Sequence, residues 1–230
     1  MTAATDFAES LLGAARVPRL ESSPLVAGIM AGTLSRDVVR SYAVTIASAA
    51  AGFPRSIAAV LSLCDEVEVR RLLLSNLLEE EGAVAYVPGE GVAIEPSRRH
   101  LAMARKFAHA AGAEGDVGVR STSAWFSESI SRGDWIGAFA FFSVGFEANV
   151  PQTFRLIVGP LEQHYGFTRA DLEFLIEHCD ADERHGVESA QLIARIARSQ
   201  EARQAAMAGA KRGGLAWGAL HRAVAARRLG

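Results

Sequence analysis

Apolar residues recur along this chain at three- and four-residue intervals, the period of an amphipathic helix, while the strict alternation of a half-buried strand is scarce. Breakers fall in a few places: "VPRLESSP", "GTLS", "VPGEGVAIEPS", "AGAEGDVG", "VGPLEQHYGFT" and "KRGG". Between them the pattern predicts about seven helices, over residues 35–62, 65–81, 97–112, 120–131, 134–157, 168–198 and 200–228. No strand pattern competes with them. No repeat and no linker rich in Pro, Gly or Ser divides the chain, so the expectation is an all-α protein in a single domain, 1–230.

Three helices carry residues that do not belong on an apolar face. In "HCDADERH", His178, Asp182 and His185 stand at i, i+4 and i+7, within roughly 60° of one another. They interrupt a stripe made by Leu172 and Leu175 before them and Leu192, Ile193 and Ile196 after them. Two imidazoles and a carboxylate on one inward face suit iron, manganese or zinc, although a buried His–Asp–His network is the competing reading. In "DWIGAFAFFSVGFEANVPQTF", Glu147 is the only acid after Asp134, and a lone buried carboxylate costs several kcal/mol unless it is paired. Arg155, eight residues on, lies about 80° around the helix and two turns along it, so an intrahelical pair is not expected and a shared cation is the better compensation.

The third element is "RRLLLSNLLEEEG". Its leucines place the buried face near Leu77, which turns Glu79 toward solvent and leaves Glu80 and Glu81 both flanking the face, with Asn76 one turn before Glu80 as a hydrogen-bond partner. Histidine offers two further candidates on the next helix, His100 and His109. Nine residues apart, they point in opposite directions, so at most one faces the core. Pro96 suits the first turn and puts His100 near the helix start.

Composition narrows the function classes. A net charge of −2 without long blocks of one sign gives no reason to invoke nucleic acid. The N-terminal residues lack a cationic stretch followed by an apolar one, and no run is expected to reach transmembrane length, so the chain reads as cytoplasmic, without membrane partners. Two cysteines, Cys64 and Cys179, are too few for a disulfide framework and read as small buried hydrophobes.

Taken together, "NLLEEEG", a histidine opening the next helix, the glutamate of "GFEANVPQTF" and "HCDADERHG" resemble the haem-oxygenase-like diiron oxidase and oxygenase superfamily, a seven-helix bundle shared with thiaminases and pyrroloquinoline-quinone synthase. The similarity runs from "SSPLVAGIMAGTLSRDVVRSYA" to "SAQLIARI". It implies metal ligands at Glu80, His100, Glu147, His178, Asp182 and His185, two ferrous ions, and O2 as co-substrate. The resemblance further implies one iron near Glu80, His100 and His185, a second near His178 and Asp182, and Glu147 between them. The stretch from Glu80 to His100 is longer than the family pattern, which keeps His109 as the alternative, and the absence of an earlier histidine argues against haem. Family members oxidise amines, amino acids and fatty acids, so the expected substrate is a small amine- or carboxylate-bearing metabolite. An external electron donor and a homodimer remain open as partners. The small-residue stretch "YAVTIASAAAGFPRS" is expected to leave space beside the metals, with Arg55 as an anchor for a carboxylate. Two alternatives stand beside this reading: a cofactorless oxidase and a non-catalytic metal- or ligand-binding bundle.

Overall fold

The computed structural model describes residues 3–118 and 123–226, apart from the side chains of residues 3 and 180–183. Among the described residues the chain forms ten α-helices. In order they are α1 (Ala3–Ala15), α2 (Pro24–Met30), α3 (Arg36–Leu63), α4 (Val67–Glu80), α5 (His100–Ala110), α6 (Ala124–Ser131), α7 (Trp135–Phe139), α8 (Val150–Tyr165), α9 (Glu173–Ile196) and α10 (Gln200–Ala226). Each of the seven expected segments contains helix among the described residues, and the one over 134–157 is interrupted. Local chemistry fixes several of those ends. The Ser23 and Ser35 side chains accept hydrogen bonds from the amides of Val26 and Val38 and so cap α2 and α3, and Gly166, at φ 72°, closes α8 in the left-handed region.

Three features depart from the sequence reading. The first 34 residues carry two helices that were not expected. In α1, Ala8, Leu11 and Ala15 are buried at helical spacing, but two of the three are alanines, which make a weak apolar signal. The second departure is a β-hairpin, β1 (Ala83–Val87) and β2 (Gly91–Ile94), within the stretch read as an unstructured insertion. Val87, Pro88, Gly89 and Glu90 form its turn, with the Glu90 amide bonded to the Val87 carbonyl at 3.0 Å and Gly89 at φ 84°, as a proline-glycine type II turn requires. Both faces of β1 are largely exposed, so no alternation marks it in the sequence.

The third departure lies in the segment read as one helix over 134–157. It is α7, then a π-helix (Ala140–Phe146), then a 3-10 turn (Glu147–Asn149), then α8, which continues through Pro160 to Tyr165. A widened turn of this kind rotates every later side chain relative to a regular helix, and such turns concentrate at functional sites. Here it sets the direction of Glu147. Helix α10 lies directly on this segment because glycine meets backbone on both sides: a Cβ on Gly213 would collide with the Phe141 carbonyl and Gly145, and one on Gly209 with the Gly137 carbonyl.

By length and composition α3 would suffice to cross a membrane, against the expectation that no run does so. In this fold its face of Val38, Tyr42, Ile46, Ile57 and Val60 is buried in the two hydrophobic clusters that make up the core. The first cluster joins α2, α3, α5, α8 and the start of α9; the second joins α1, the far end of α3, α4, the π segment and the end of α9.

Candidate metal centre

The centre is assembled from the C-terminal end of α4, the first residue of α5, the π-helical segment and the middle of α9. On α4 the buried residues are Val69, Leu73 and Asn76, at i, i+4 and i+7, whereas Leu74 and Leu78 are exposed. The buried face is therefore centred on Leu73 and Asn76, not on Leu77 as the leucine pattern suggested. Continuing that face by one turn reaches Glu80, whose side chain is 10% exposed. Glu81 turns outward and meets Arg99 at 3.4 Å. Asn76 is buried, but its Nδ2 has no hydrogen-bond partner among the described residues, so the anticipated bond to Glu80 is absent.

The hairpin explains how a long insertion still returns His100 to this point. The Glu95 amide donates to the Gly82 carbonyl at 2.9 Å, so the strands leave and re-enter side by side and the net displacement of the chain is small. His100 then begins α5, buried, with Nδ1 2.9 Å from Glu80 Oε1. His109 is exposed at the other end of α5, its Nδ1 2.9 Å from the Ala113 carbonyl oxygen. It takes no part in the centre.

From α9, His178 completes a cluster. One ligand-type atom from each of Glu80, His100 and His178 lies within 4.8 Å of the others, a spacing that a single cation can span. The rings of His100 and His178 are 4.4 Å apart between centroids. His178 Nδ1 lies 2.7 Å from the Phe174 carbonyl oxygen, and because a carbonyl only accepts, Nδ1 carries the proton and Nε2 keeps its lone pair. Burial, reinforced by the neighbouring His100, pushes the His178 pKa down to about 3, so the imidazole is neutral as a ligand must be.

His185 is also buried but does not join this cluster. Seven residues from His178 it lies about 10 Å further along α9, where its Nε2 is 3.2 Å from Glu79 Oε2. This arrangement corrects two expectations. His178, and not His185, accompanies Glu80 and His100; and Glu79, read as solvent-facing, is half-buried, its carboxyl held below the usual range chiefly by the hydrogen bond from His185. Nothing in the helical period of α4 could have shown this contact, because it depends on how α4 ends against α9. Asp182 stands one turn from both histidines, and its side chain lies outside the described residues.

Glu147, 4% exposed, faces a small cavity of about 40 Å3 that Glu80 and His178 also line. The rest of the wall is apolar: Ile46, Ala49, Ala50 and Phe53 from the small-residue stretch of α3, and Phe146, Phe154, Phe174 and Trp217 opposite. The aromatic residues were not singled out in the sequence, where they are indistinguishable from ordinary core. Arg155 donates to the Cys179 carbonyl at 2.6 Å. Arg55 is exposed and borders a separate, open pocket that shares Glu80 and Ala50 with the cavity. Of the cysteines, Cys64 is buried and Cys179 partly so, and neither forms a disulfide.

The donor set therefore fits a metal of the iron, manganese or zinc type: carboxylate and imidazole donors converge, they are buried, and the tautomer of His178 presents a free lone pair. Comparison with known proteins bears on which metal. Residues 40–218 match the profile of a family described as iron-containing redox enzymes. The chain is 27% identical over 177 residues to 4-aminobenzoate synthase of Chlamydia trachomatis, covering 70% of this chain and 68% of that one. It is 26% identical over 176 residues to 4-aminobenzoate synthase of Chlamydia muridarum, covering 73% and 69%. Among solved structures, a domain of unknown function with a haem-oxygenase-like fold from Shewanella denitrificans superposes with a TM-score of 0.64, at 16% identity, over 96% of this chain and 88% of that one.

Proposed function

Since this chain belongs to the iron-containing redox enzyme family, we propose that it is a non-haem diiron oxidase or oxygenase that uses O2 to oxidise a small amine- or carboxylate-bearing metabolite. The observation that carries this reading is the buried convergence of Glu80, His100 and His178 beside a largely apolar cavity that also receives Glu147. In this reading Glu80, His100 and His178 would hold one iron, His185 and Asp182 would serve a second, and Glu147 would add a carboxylate to the pair. When bound, ferrous iron would supply the electrons that reduce O2.

The chain's own residues do the rest. The Phe174 carbonyl fixes the His178 ring and keeps its proton on Nδ1, so that Nε2 alone is presented to the centre. Phe53, Phe146, Phe154 and Trp217 keep bulk water from the cavity, which strengthens electrostatic interactions inside and limits side reactions. Trp217 is itself held in place by donating Nε1–H to Thr153 Oγ1 at 2.9 Å. The pair formed by Glu79 and His185, 3.2 Å apart, can hold a proton between α4 and α9. The relatives named 4-aminobenzoate synthase favour a substrate or product with an amine and a carboxylate, since 4-aminobenzoate carries both.

Anaerobic titration with ferrous iron, followed by metal analysis and rapid mixing with O2, tests the proposal. Close to two irons per chain, a transient visible absorbance on mixing, and a lower iron count in Asp182→Ala are expected. Failure to bind iron, or tight iron binding without O2 consumption, would overturn it.

A further inference from the structure

Ala50 and Glu80 belong to two walls at once. One faces the apolar cavity of the centre, and the other faces an open pocket of about 630 Å3 on the neighbouring side of α3. Three arginines border that pocket, Arg55, Arg99 and Arg105. Two of them are already engaged. Arg99 meets Glu81 at 3.4 Å, and Arg105 binds Asp116 at 2.6 Å and the Val117 carbonyl at 2.7 Å. Glu80, the remaining acid on this wall, has its Oε1 2.9 Å from His100 Nδ1. Arg55 forms no ion pair or hydrogen bond with any described residue, so it is the uncompensated charge of the pocket among the described residues.

From this arrangement we infer that the pocket admits an organic carboxylate, with Arg55 binding the anion at the mouth and the body of the molecule extending past Ala50 to Glu80. The inference rests on the proposed oxidase reading for the identity of the reacting end, and it narrows the substrate class from amine- or carboxylate-bearing to carboxylate-bearing. A planar guanidinium matches a carboxylate with two parallel N–H donors. The walls beside Arg55 are low, being Ala50, Ala51 and Pro54, which leaves room for the chain or ring attached to that carboxylate. A substrate whose only charge is an ammonium group would instead meet the unpaired guanidinium of Arg55, with Glu81 and Asp116 already neutralised by Arg99 and Arg105.

Binding of benzoate, 4-aminobenzoate and octanoate, with benzamide as the neutral counterpart, can be followed by saturation-transfer NMR and calorimetry on the whole protein. The proteins compared are wild type, Arg55→Gln, Arg55→Lys and Arg132→Gln. The last removes the same charge from α6, where Arg132 pairs with Glu128 outside the pocket. At least one carboxylate is expected to bind wild type more tightly than benzamide does. Arg55→Gln should weaken that binding by at least about tenfold, Arg55→Lys by less, and Arg132→Gln by less than about twofold. Absence of carboxylate binding, equal binding by Arg55→Gln, or an equal loss in Arg132→Gln would overturn the inference. Each titration is made with metal-free and ferrous-loaded protein. Arg55-dependent binding that survives in a protein unable to take up iron would refute the oxidase reading alone.

Discussion

His221 on α10 gives the protein a pH-dependent stability whose size follows from its surroundings. The residue is 1% exposed and donates Nδ1–H to the Trp217 carbonyl at 2.8 Å. Burial is the main influence on the ring and lowers its pKa from 6.5 to about 4, Arg222 adding to the effect and the carbonyl opposing it. Between these values the unfolded chain binds a proton that the folded chain refuses. Stability from His221 is therefore complete above about pH 6.5 and is lost as pH falls toward about 4. The gap corresponds to roughly 3 kcal/mol. Replacing His221 by Gln removes the titration while keeping an amide that can donate to the Trp217 carbonyl. Urea unfolding of metal-free wild type and His221→Gln at intervals from pH 7 to pH 4 gives the stability difference at each pH, and contributions common to both proteins, including that of His178, cancel. The wild type should lose roughly 3 kcal/mol relative to the variant across the window. A difference that stays constant with pH would refute the reasoning, because it would mean that the ring is charged, or hydrated, in the folded protein.

Other outcomes follow from the same structure. Alanine at His100 or His178 should lower ferrous iron content and abolish O2-dependent turnover, whereas His109→Ala should leave iron content within error of wild type, as read by metal analysis after anaerobic loading. Gly213→Ala, which drives a methyl group into the Phe141 carbonyl and Gly145, should destabilise by about 1–3 kcal/mol in chemical denaturation. In contrast Gly13→Ala, in an exposed helical position with nothing within 4 Å of the added carbon, should stabilise by about 0.5–1 kcal/mol. Replacing the hairpin residues 83–94 by a short glycine linker should leave iron content unchanged, because the Gly82 and Glu95 ends already lie beside each other; loss of iron would show that the hairpin itself positions His100.

The sequence by itself determined the helical class, the position of most long helices, and the residues whose chemistry is out of place on an apolar face. His178 and His185 are both buried because helical period alone puts them on the stripe of α9, and Glu147 is buried because the segment around it contains almost nothing polar. Such signals are local: each needs only neighbours within a few turns. The choices left open by period were made by contacts between elements distant in the chain. Glu80 rather than Glu81 faces inward because the buried face of α4 passes through Leu73 and Asn76. His100 rather than His109 meets it because the hairpin folds the insertion back on itself. The widened turn before Glu147 is imposed on that segment and not written in its composition; glycines on α10 let the two backbones approach closely there. The grouping of His178 with Glu80 and His100, and of His185 with Glu79, depends on where α4 ends against α9. Periodicity fixes the direction of a side chain around its own axis, and only packing fixes what lies in that direction.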